Sequence, residues 1–457
     1  MVQQAISGRL HWAILVIILA AYCALAVGYN LRIPIYETYD EPAHLLYIEH
    51  LRRTHRLPEI GPTVPPLVRL NTEQEMLNPP LYYVSAALAL EIAGAPSVRP
   101  ELTLKPLEVH GPGDRLFFEH GDGEDFPYSS SVRWLHIVRF LSTLYGVGTL
   151  VLVFFTVRTL FTADRWLAPA ATASIAFLPQ FTYMTATVNN DAAAFFFGAA
   201  ILFSIAKLLT SKGDPRWGLL AGIALGLGLL SKATVWPLVP LPFLAAMLAP
   251  TDMRSRVRLL ALVATGVLAT SGWYFLRNLV VYSDPLALNA QKAYLAWHEV
   301  PHSLTDPWFR EFFPLWLRRS FWFMGGWFEA SLPGYLYDVL DFAAAVTVAG
   351  LLALAVNRRL RASLGHAVGW FLLLGSLGVA LLLAATVRLS LTYPTPHGRY
   401  FLIMGPFIGL SLVLGLTTLF TLQARRGAAV ALFWPAFLLL VNLYTLLKVV
   451  PEFYGPG

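Results

Sequence analysis

Charge is scarce in this chain. Lys, Arg, Asp and Glu make up 13% of its 457 residues, where an ordinary soluble domain carries about 25%. That shortfall excludes a typical soluble enzyme and accompanies a hydrophobic fraction of 56% and a mean hydropathy of +0.59. Cysteine is almost absent. Cys23 stands alone inside the first apolar run, so no intramolecular disulfide can form. No internal repeat or low-complexity tract is evident, which argues against transporters built from inverted repeats. The first run also lacks a small-residue cleavage site, since Asn30-Leu31-Arg32-Ile33-Pro34 follows it, and is expected to remain as a helix.

What is present is a series of membrane-length apolar runs. They predict an all-α polytopic integral membrane protein, a single membrane domain over 1–457 with about eleven transmembrane helices of about 20 residues. The expected spans are 10–29, 134–157, 166–188, 192–209, 217–230, 234–248, 259–281, 335–356, 366–387, 401–422 and 428–449. The pair 217–230 and 234–248 is short, joined only by Ser231-Lys232-Ala233, and reads as either two spans or a re-entrant hairpin. A formal charge of +6 and a pI of 9.3 do not indicate a nucleic-acid partner, because the basic clusters stand at the ends of apolar runs. Those clusters are Arg158 with Arg165; Lys207, Lys212 and Arg216; Arg254, Arg256 and Arg258; Arg358, Arg359 and Arg361; and Arg425 with Arg426. With eleven spans all of them fall on one side, which the positive-inside bias makes the cytoplasm. The N-terminus is then cytoplasmic, and the long connections 30–133 and 282–334 face outward.

The first outer connection has helical character of its own. From Pro42 to Arg56, Leu45, Ile48 and Leu51 recur at helical spacing opposite Glu49, Arg52 and Arg53, as in an interfacial helix. Asp40 suits its N-cap and Pro42 its first turn. A second apolar stretch after Asn78-Pro79-Pro80 reads as another surface helix, and the rest, with Gly111-Pro112-Gly113 and Asp122-Gly123-Glu124-Asp125, as turns. The second connection is rich in Trp and Phe, from Trp297 through Trp308, Phe312, Trp316 and Phe321 to Phe328. An aromatic belt at the headgroup layer is the default for it, with stacking on a sugar the alternative.

Candidate chemistry sits at the start of the first surface helix. Asp40 and His44 are spaced i and i+4, and Glu41 and His44 i and i+3, so a carboxylate and an imidazole can share one face. A carboxylate within about 3 Å of an acceptor hydroxyl serves as a general base. The plainer readings are that Asp40 caps the helix, Glu41 is a solvated interfacial charge and His44 a polar anchor. Asp40, Glu41 and His44 alone do not close a metal shell, though a divalent metal near them stays open. For an anionic ligand at membrane depth, Arg399, Arg277 and Lys232 are the available cations, each at the outer end of a predicted helix. Snorkelling to the headgroups is the alternative for each, as it is for Arg388. Asn189, Asn190 and Asp191 open a helix on the same side, either as caps or as contacts to sugar hydroxyls.

Several of these segments together resemble a known motif series. Tyr39-Asp40-Glu41-Pro42-Ala43-His44, Asn78-Pro79-Pro80-Leu81-Tyr82-Tyr83, Asn189-Asn190-Asp191, Lys232, Trp273-Tyr274-Phe275-Leu276-Arg277-Asn278, Tyr282-Ser283-Asp284-Pro285-Leu286 and His397-Gly398-Arg399-Tyr400 stand in the order found in bacterial C-type glycosyltransferases. These resemble dolichyl-phosphate-mannose protein mannosyltransferases and the aminoarabinose transferase of lipid A. The resemblance implies an inverting enzyme that takes a sugar from a polyprenyl-phosphate donor and gives it to a glycan, lipid or protein acceptor outside the bacterial cytoplasmic membrane. It implies Asp40 as base with Glu41 as supporting acid, and Arg399, Arg277 and Lys232 on the donor phosphate. His44, Asn78, Tyr82, Asn190, Asp191, His397 and Tyr400 would meet sugar or acceptor. Asn78 stands where many relatives place a histidine, so a role for that imidazole does not carry over. Two other classes stay open: a transporter or flippase of lipid-linked glycans, and a non-catalytic assembly protein of envelope polysaccharide synthesis.

Overall fold

The computed structural model describes residues 2–59, 74–97, 116–162, 164, 166–295, 300–393, 396–420 and 424–455. Trp297, Arg165 and the turn at Gly111-Pro112-Gly113 lie outside the described residues. In chain order the helices are α1 (Val2–Arg32), α2 (Glu41–Thr54), α3 (Leu81–Ile92), α4 (Ser130–Leu160), α5 (Leu167–Ala176), α6 (Pro179–Met184), α7 (Asp191–Thr210) and α8 (Pro215–Leu229). They continue as α9 (Pro240–Leu248), α10 (Met253–Tyr282), α11 (Leu288–Leu295), α12 (Pro307–Trp322), α13 (Gly334–Val356), α14 (Arg358–Ser390), α15 (Gly405–Phe420), α16 (Ala424–Tyr444) and α17 (Val450–Tyr454). A two-residue antiparallel pairing, β1 (Met324–Gly325) with β2 (Ala330–Ser331), closes a hairpin after α12.

All eleven predicted runs are helical, and eight helices among the described residues are long and apolar enough to cross a membrane. The other three runs are shorter. The expected span 166–188 is broken after ten residues, because Pro179 has no N–H to give and holds Leu178 in an extended conformation, φ −70° and ψ 119°. The pair 217–248 forms α8, then a 3-10 turn at Ala233–Leu238, then α9. Asp214 accepts from the Arg216 N–H at 3.0 Å to start α8, and Asp252 accepts from the Ser255 N–H at 2.9 Å to start α10. Gly213 lies against Thr251, so this short pair leaves and returns at one end of the bundle. The window of α7 is 78% buried and that of Gly398–Leu419 83%, against 22% for α13, so the first two are the axis around which the bundle packs.

The long connections meet at one end of this axis. In the first, Leu45, Ile48 and Leu51 of α2 are buried as their spacing predicts, but Glu49 is buried with them, accepting from Arg52 at 3.2 Å and from Ser97 at 2.6 Å. On α3, Val84, Leu88 and Ile92 form an exposed apolar stripe four residues apart on a helix of twelve, too short to span.

A single buried arginine ties this connection to the bundle. Arg139, inside α4, donates from Nε to Glu41 Oε1 at 2.8 Å and from Nη2 to Oε2 at 2.6 Å. Its Nη1 reaches the carbonyls of Asn30 and Ile33, both at 2.9 Å, and Nη2 that of Pro34 at 3.1 Å. Glu41 completes its own shell with the backbone N–H groups of Tyr36 and Val188, each at 3.0 Å. Both side chains are fully buried. Removing one partner of a buried, fully bonded pair costs about 3 to 5 kcal/mol, since the other charge is stranded. Arg139→Leu should therefore lower the thermal unfolding midpoint in detergent far more than Arg254→Leu at an exposed site. Equal midpoints for the two variants would show that the pair does not anchor the loop.

Candidate functional site

Asp40 stands at the N-cap of α2 in the left-handed region, φ 56° and ψ 9°, and its side chain makes no capping hydrogen bond. A non-glycine residue there is uncommon and Asp is among those that tolerate it. This turn separates two adjacent acids: Glu41 points into the bundle at Arg139, while Asp40 is only half-buried. Glu41 is thus spent on structure rather than standing beside Asp40 as a second acid. Its commitment to Arg139 also means that Asp40, Glu41 and His44 do not converge, and among the described residues no three His, Cys, Asp or Glu side chains are placed to hold a metal ion.

A third acid lies close to His44. Glu75 lies on a 3-10 turn, Gln74–Leu77, and accepts from Tyr83 Oη at 3.0 Å and from Asn78 Nδ2 at 2.5 Å. His44 Nδ1 stands 3.0 Å from the same Tyr83 hydroxyl and 3.4 Å from Glu75. Burial, then the Asp40 carboxylate, push the Glu75 carboxyl up to about 8, with Lys232 pulling the other way. Burial and the cations Lys232 and Arg399 hold His44 well below the usual histidine range. At neutral pH the cluster therefore holds a proton on Glu75 and a neutral imidazole. Asn78, expected to touch sugar or acceptor, holds Glu75 in place. Tyr82 bonds Ser142 of α4 at 2.8 Å and is fully buried, whereas its neighbour Tyr83 turns to the site and receives Asn190 Nδ2 at 3.1 Å.

Opposite the acids stand two cations on one carboxylate. Asp191, first residue of α7, lies 2.8 Å from Lys232 Nζ and 3.5 Å from Arg399 Nε. Asn189 performs the capping, accepting from the Ala192 N–H at 3.3 Å. Lys232 is brought here by the tight turn between α8 and the 3-10 segment, and Arg399 by another at Gly398–Met404. Gly398 is required: a Cβ there would meet the Leu317 carbonyl at 2.0 Å. The Arg399 guanidinium lies 4.2 Å from the ring centre of Tyr39 and 5.7 Å from that of Tyr400, and Lys232 Nζ lies 5.5 Å from the Tyr400 ring. Among the described residues, five buried atoms here have no hydrogen-bond partner: Arg399 Nε and Asp191 Oδ1, which lie in the ion pairs above, and Arg399 Nη1, His397 Nδ1 and Asn190 Oδ1. Buried polar atoms left unpaired are costly, and clustered ones mark a place for a polar ligand.

Arg277 does not join this pair. It donates to the Pro58 carbonyl at 2.8 Å, lies 3.8 Å from Glu59 and packs over Tyr282, lining a crevice with Tyr47 and Asn78 on the far side of the Gln74–Leu77 turn. The aromatic connection is divided in its use. Trp322 and Phe323 are buried in the bundle, Phe312 is half exposed at 50%, and Phe328 enters the site. The hairpin holds Phe328 at φ 75° and places its ring between Tyr39 at 4.3 Å and His397 at 4.7 Å, stacked on both. Tyr39 secures the hairpin by donating to the Met324 carbonyl. Glu75 and Tyr83 were not assigned roles from sequence. The signal was present in an acid three residues before the Asn-Pro-Pro motif, and for Arg139 in a charge inside an apolar run.

Glu75 carries a pH signature. Its folded value lies above the ordinary carboxyl value of 4.5, so its contribution to stability is full below about 4.5 and is lost as pH rises through about 8. Glu75→Gln, which keeps the donor-acceptor shape, should flatten the fall of the unfolding midpoint over that window. A variant whose pH profile runs parallel to the parent's would refute the protonated assignment.

Residues 135–274 match the family model described as dolichyl-phosphate-mannose-protein mannosyltransferase. Among solved structures, the chain is similar to ArnT from Cupriavidus metallidurans bound to undecaprenyl phosphate, at 13% identity and a TM-score of 0.51, covering 96% of this chain and 73% of that one. It is also similar to the oligosaccharyltransferase AglB from Archaeoglobus fulgidus in complex with an inhibitory peptide and a dolichol-phosphate, at 15% identity and a TM-score of 0.49. That match covers 98% of this chain and 56% of AglB, so the chain spans little more than half of the archaeal enzyme. No curated protein matches the chain in sequence. The chain shares the fold of ArnT.

Proposed function

We propose that the chain is a glycosyltransferase that moves a sugar from a polyprenyl-phosphate donor to a hydroxyl-bearing glycan, lipid or protein, with inversion at the anomeric carbon. The observation that carries this reading is the half-buried Asp40 carboxylate within electrostatic reach of Arg399 and of the Lys232–Asp191–Arg399 cluster, in which Arg399 Nη1 makes no hydrogen bond among the described residues. The match of 135–274 to the mannosyltransferase model, and the ArnT fold in a structure bound to undecaprenyl phosphate, support a lipid-linked donor.

In the proposed reaction Asp40 takes the proton of the acceptor hydroxyl as its oxygen bonds to the anomeric carbon. The bond from that carbon to the phosphate oxygen breaks on the opposite face, which gives inversion. The leaving polyprenyl phosphate takes the electron pair and is held by Arg399, with Lys232 sharing Asp191. A phosphate between them would supply the acceptor that Arg399 Nη1 lacks, and sugar hydroxyls the partners that His397 Nδ1 and Asn190 Oδ1 lack. Burial, then Arg399 and Lys232, hold His397 well below the usual range, so it meets the sugar as a neutral ring. Glu75 stays protonated and keeps a second negative charge away from the phosphate. In the proposed setting 30–133 and 282–334 form the outer face of the bacterial cytoplasmic membrane, with the site outside and the basic turns inside.

Asp40→Asn tests the base. Asn tolerates the left-handed backbone, and no capping bond is lost, so expression and donor affinity should stay near those of the parent. Transfer should fall by about 10² to 10⁴. Residual turnover within about tenfold of the parent sinks the assignment, and lipid-linked glycan transport unaffected by the change would favour a flippase.

Arg399→Lys tests the phosphate grip. A point charge on a flexible stem cannot reproduce a planar fork, so donor binding should weaken by roughly 1.5 to 3 kcal/mol, almost as in Arg399→Ala. Donor titrations of the Lys variant that overlay those of the parent would rule the role out.

A further inference from the structure

A cleft of about 880 Å³ opens at the other end of α14, among Leu354 of α13, Arg358, His366, Gly369 and Trp370 of α14, and Phe407 of α15. Trp370 is twenty residues before Ser390, so at about 1.5 Å per residue it stands about 30 Å along the helix from the turn that leads to Arg399. Gly365, at φ 74° and ψ 160°, interrupts the helix and sets the segment 358–364 apart as a separate turn over the cleft. The walls are apolar, and the polar groups at the mouth are Arg358 and His366, both exposed, beside the Trp370 indole.

The chain segment that builds most of this mouth carries charge of one sign. Between Asp341 and Glu452 the sequence contains no Asp or Glu, while Arg358, Arg359 and Arg361 follow one another at the start of α14. The acids of α13, Asp338 and Asp341, lie at its opposite end and pair with Arg318 at 2.7 and 2.5 Å. Cations over an apolar slot in a membrane bundle fit an anionic headgroup with its tail inserted below.

We infer that this cleft binds one anionic phospholipid of the surrounding bilayer, an acyl chain against Leu354, Gly369 and Phe407 and the headgroup phosphate against Arg358 and His366. The inference is independent of the sugar-transfer reading. A polyprenyl phosphate held here would have its phosphate at the opposite end of α14 from Arg399, which is why the occupant is assigned as bulk lipid rather than donor.

Native mass spectrometry of the full chain released from nanodiscs of equal phosphatidylglycerol and phosphatidylcholine tests the assignment. The parent should retain one phosphatidylglycerol in preference to phosphatidylcholine. Arg358→Gln should cut that preference about fivefold, and Arg358→Gln with His366→Gln should cut it further. Gly369→Trp should displace both lipids; a Cβ at 369 meets nothing within 4 Å, and an unfolding midpoint equal to the parent's checks that the fold is kept. Equal retention of the two lipids by the parent, or a preference unchanged in the charge and cleft variants, overturns the site. Retention of a polyprenyl phosphate lost on Gly369→Trp overturns the identity of its occupant.

Discussion

The placement of Asp40 at the mouth of the bundle depends on Arg139. An arginine inside an apolar helix must find partners, because each unpaired donor at that depth is costly. Here the partners are Glu41 and the three carbonyls where α1 runs out, so one guanidinium binds the end of α1, the start of α2 and α4 into a unit. Glu41 extends the unit to Val188, three residues before Asp191. The acid at the mouth of the loop and the acid that gathers the cations are therefore registered against each other through one ion pair.

The centre itself is a problem in charge balance. Asp40, Glu75 and Asp191 face Lys232 and Arg399 in partly buried surroundings. Asp191 lies within ion-pair distance of both cations. Glu75, whose nearest side-chain neighbours are the neutral Tyr83 and Asn78 and the uncharged His44, keeps its proton instead. The two carboxyls therefore sit in unlike surroundings, Glu75 among uncharged groups and Asp191 against two cations, an asymmetry of the kind by which enzymes give similar groups different tasks.

Aromatic residues divide along the same line between burial and function. Trp and Phe in the second connection serve first as hydrophobic mass, with Trp322 and Phe323 inside the bundle. Phe328 is the exception: its left-handed backbone is held by the hairpin pairing, and its ring closes a stack of Tyr39, Phe328 and His397 beside Arg399. A residue kept in a sparsely populated conformation against a cationic site is a common mark of function.

From the sequence alone came the membrane class, the eleven apolar runs and the order of the motifs, because burial in lipid leaves a periodic apolar signal that needs no knowledge of neighbours. The break in 166–188 was not read from the sequence, although Pro179 acts locally on the residue before it. The separation of Asp40 from Glu41, the choice of Tyr83 over Tyr82, the place of Glu75 and the removal of Arg277 from the cation pair were decided only by the tertiary structure. Each depends on a partner far along the chain, Arg139 for Glu41, Ser142 for Tyr82, Asn190 for Tyr83 and Pro58 for Arg277. Helical spacing states which side chains share a face, but which face turns inward is set by what packs against it, and so is the proton on Glu75, which follows from the charges that folding brings beside it.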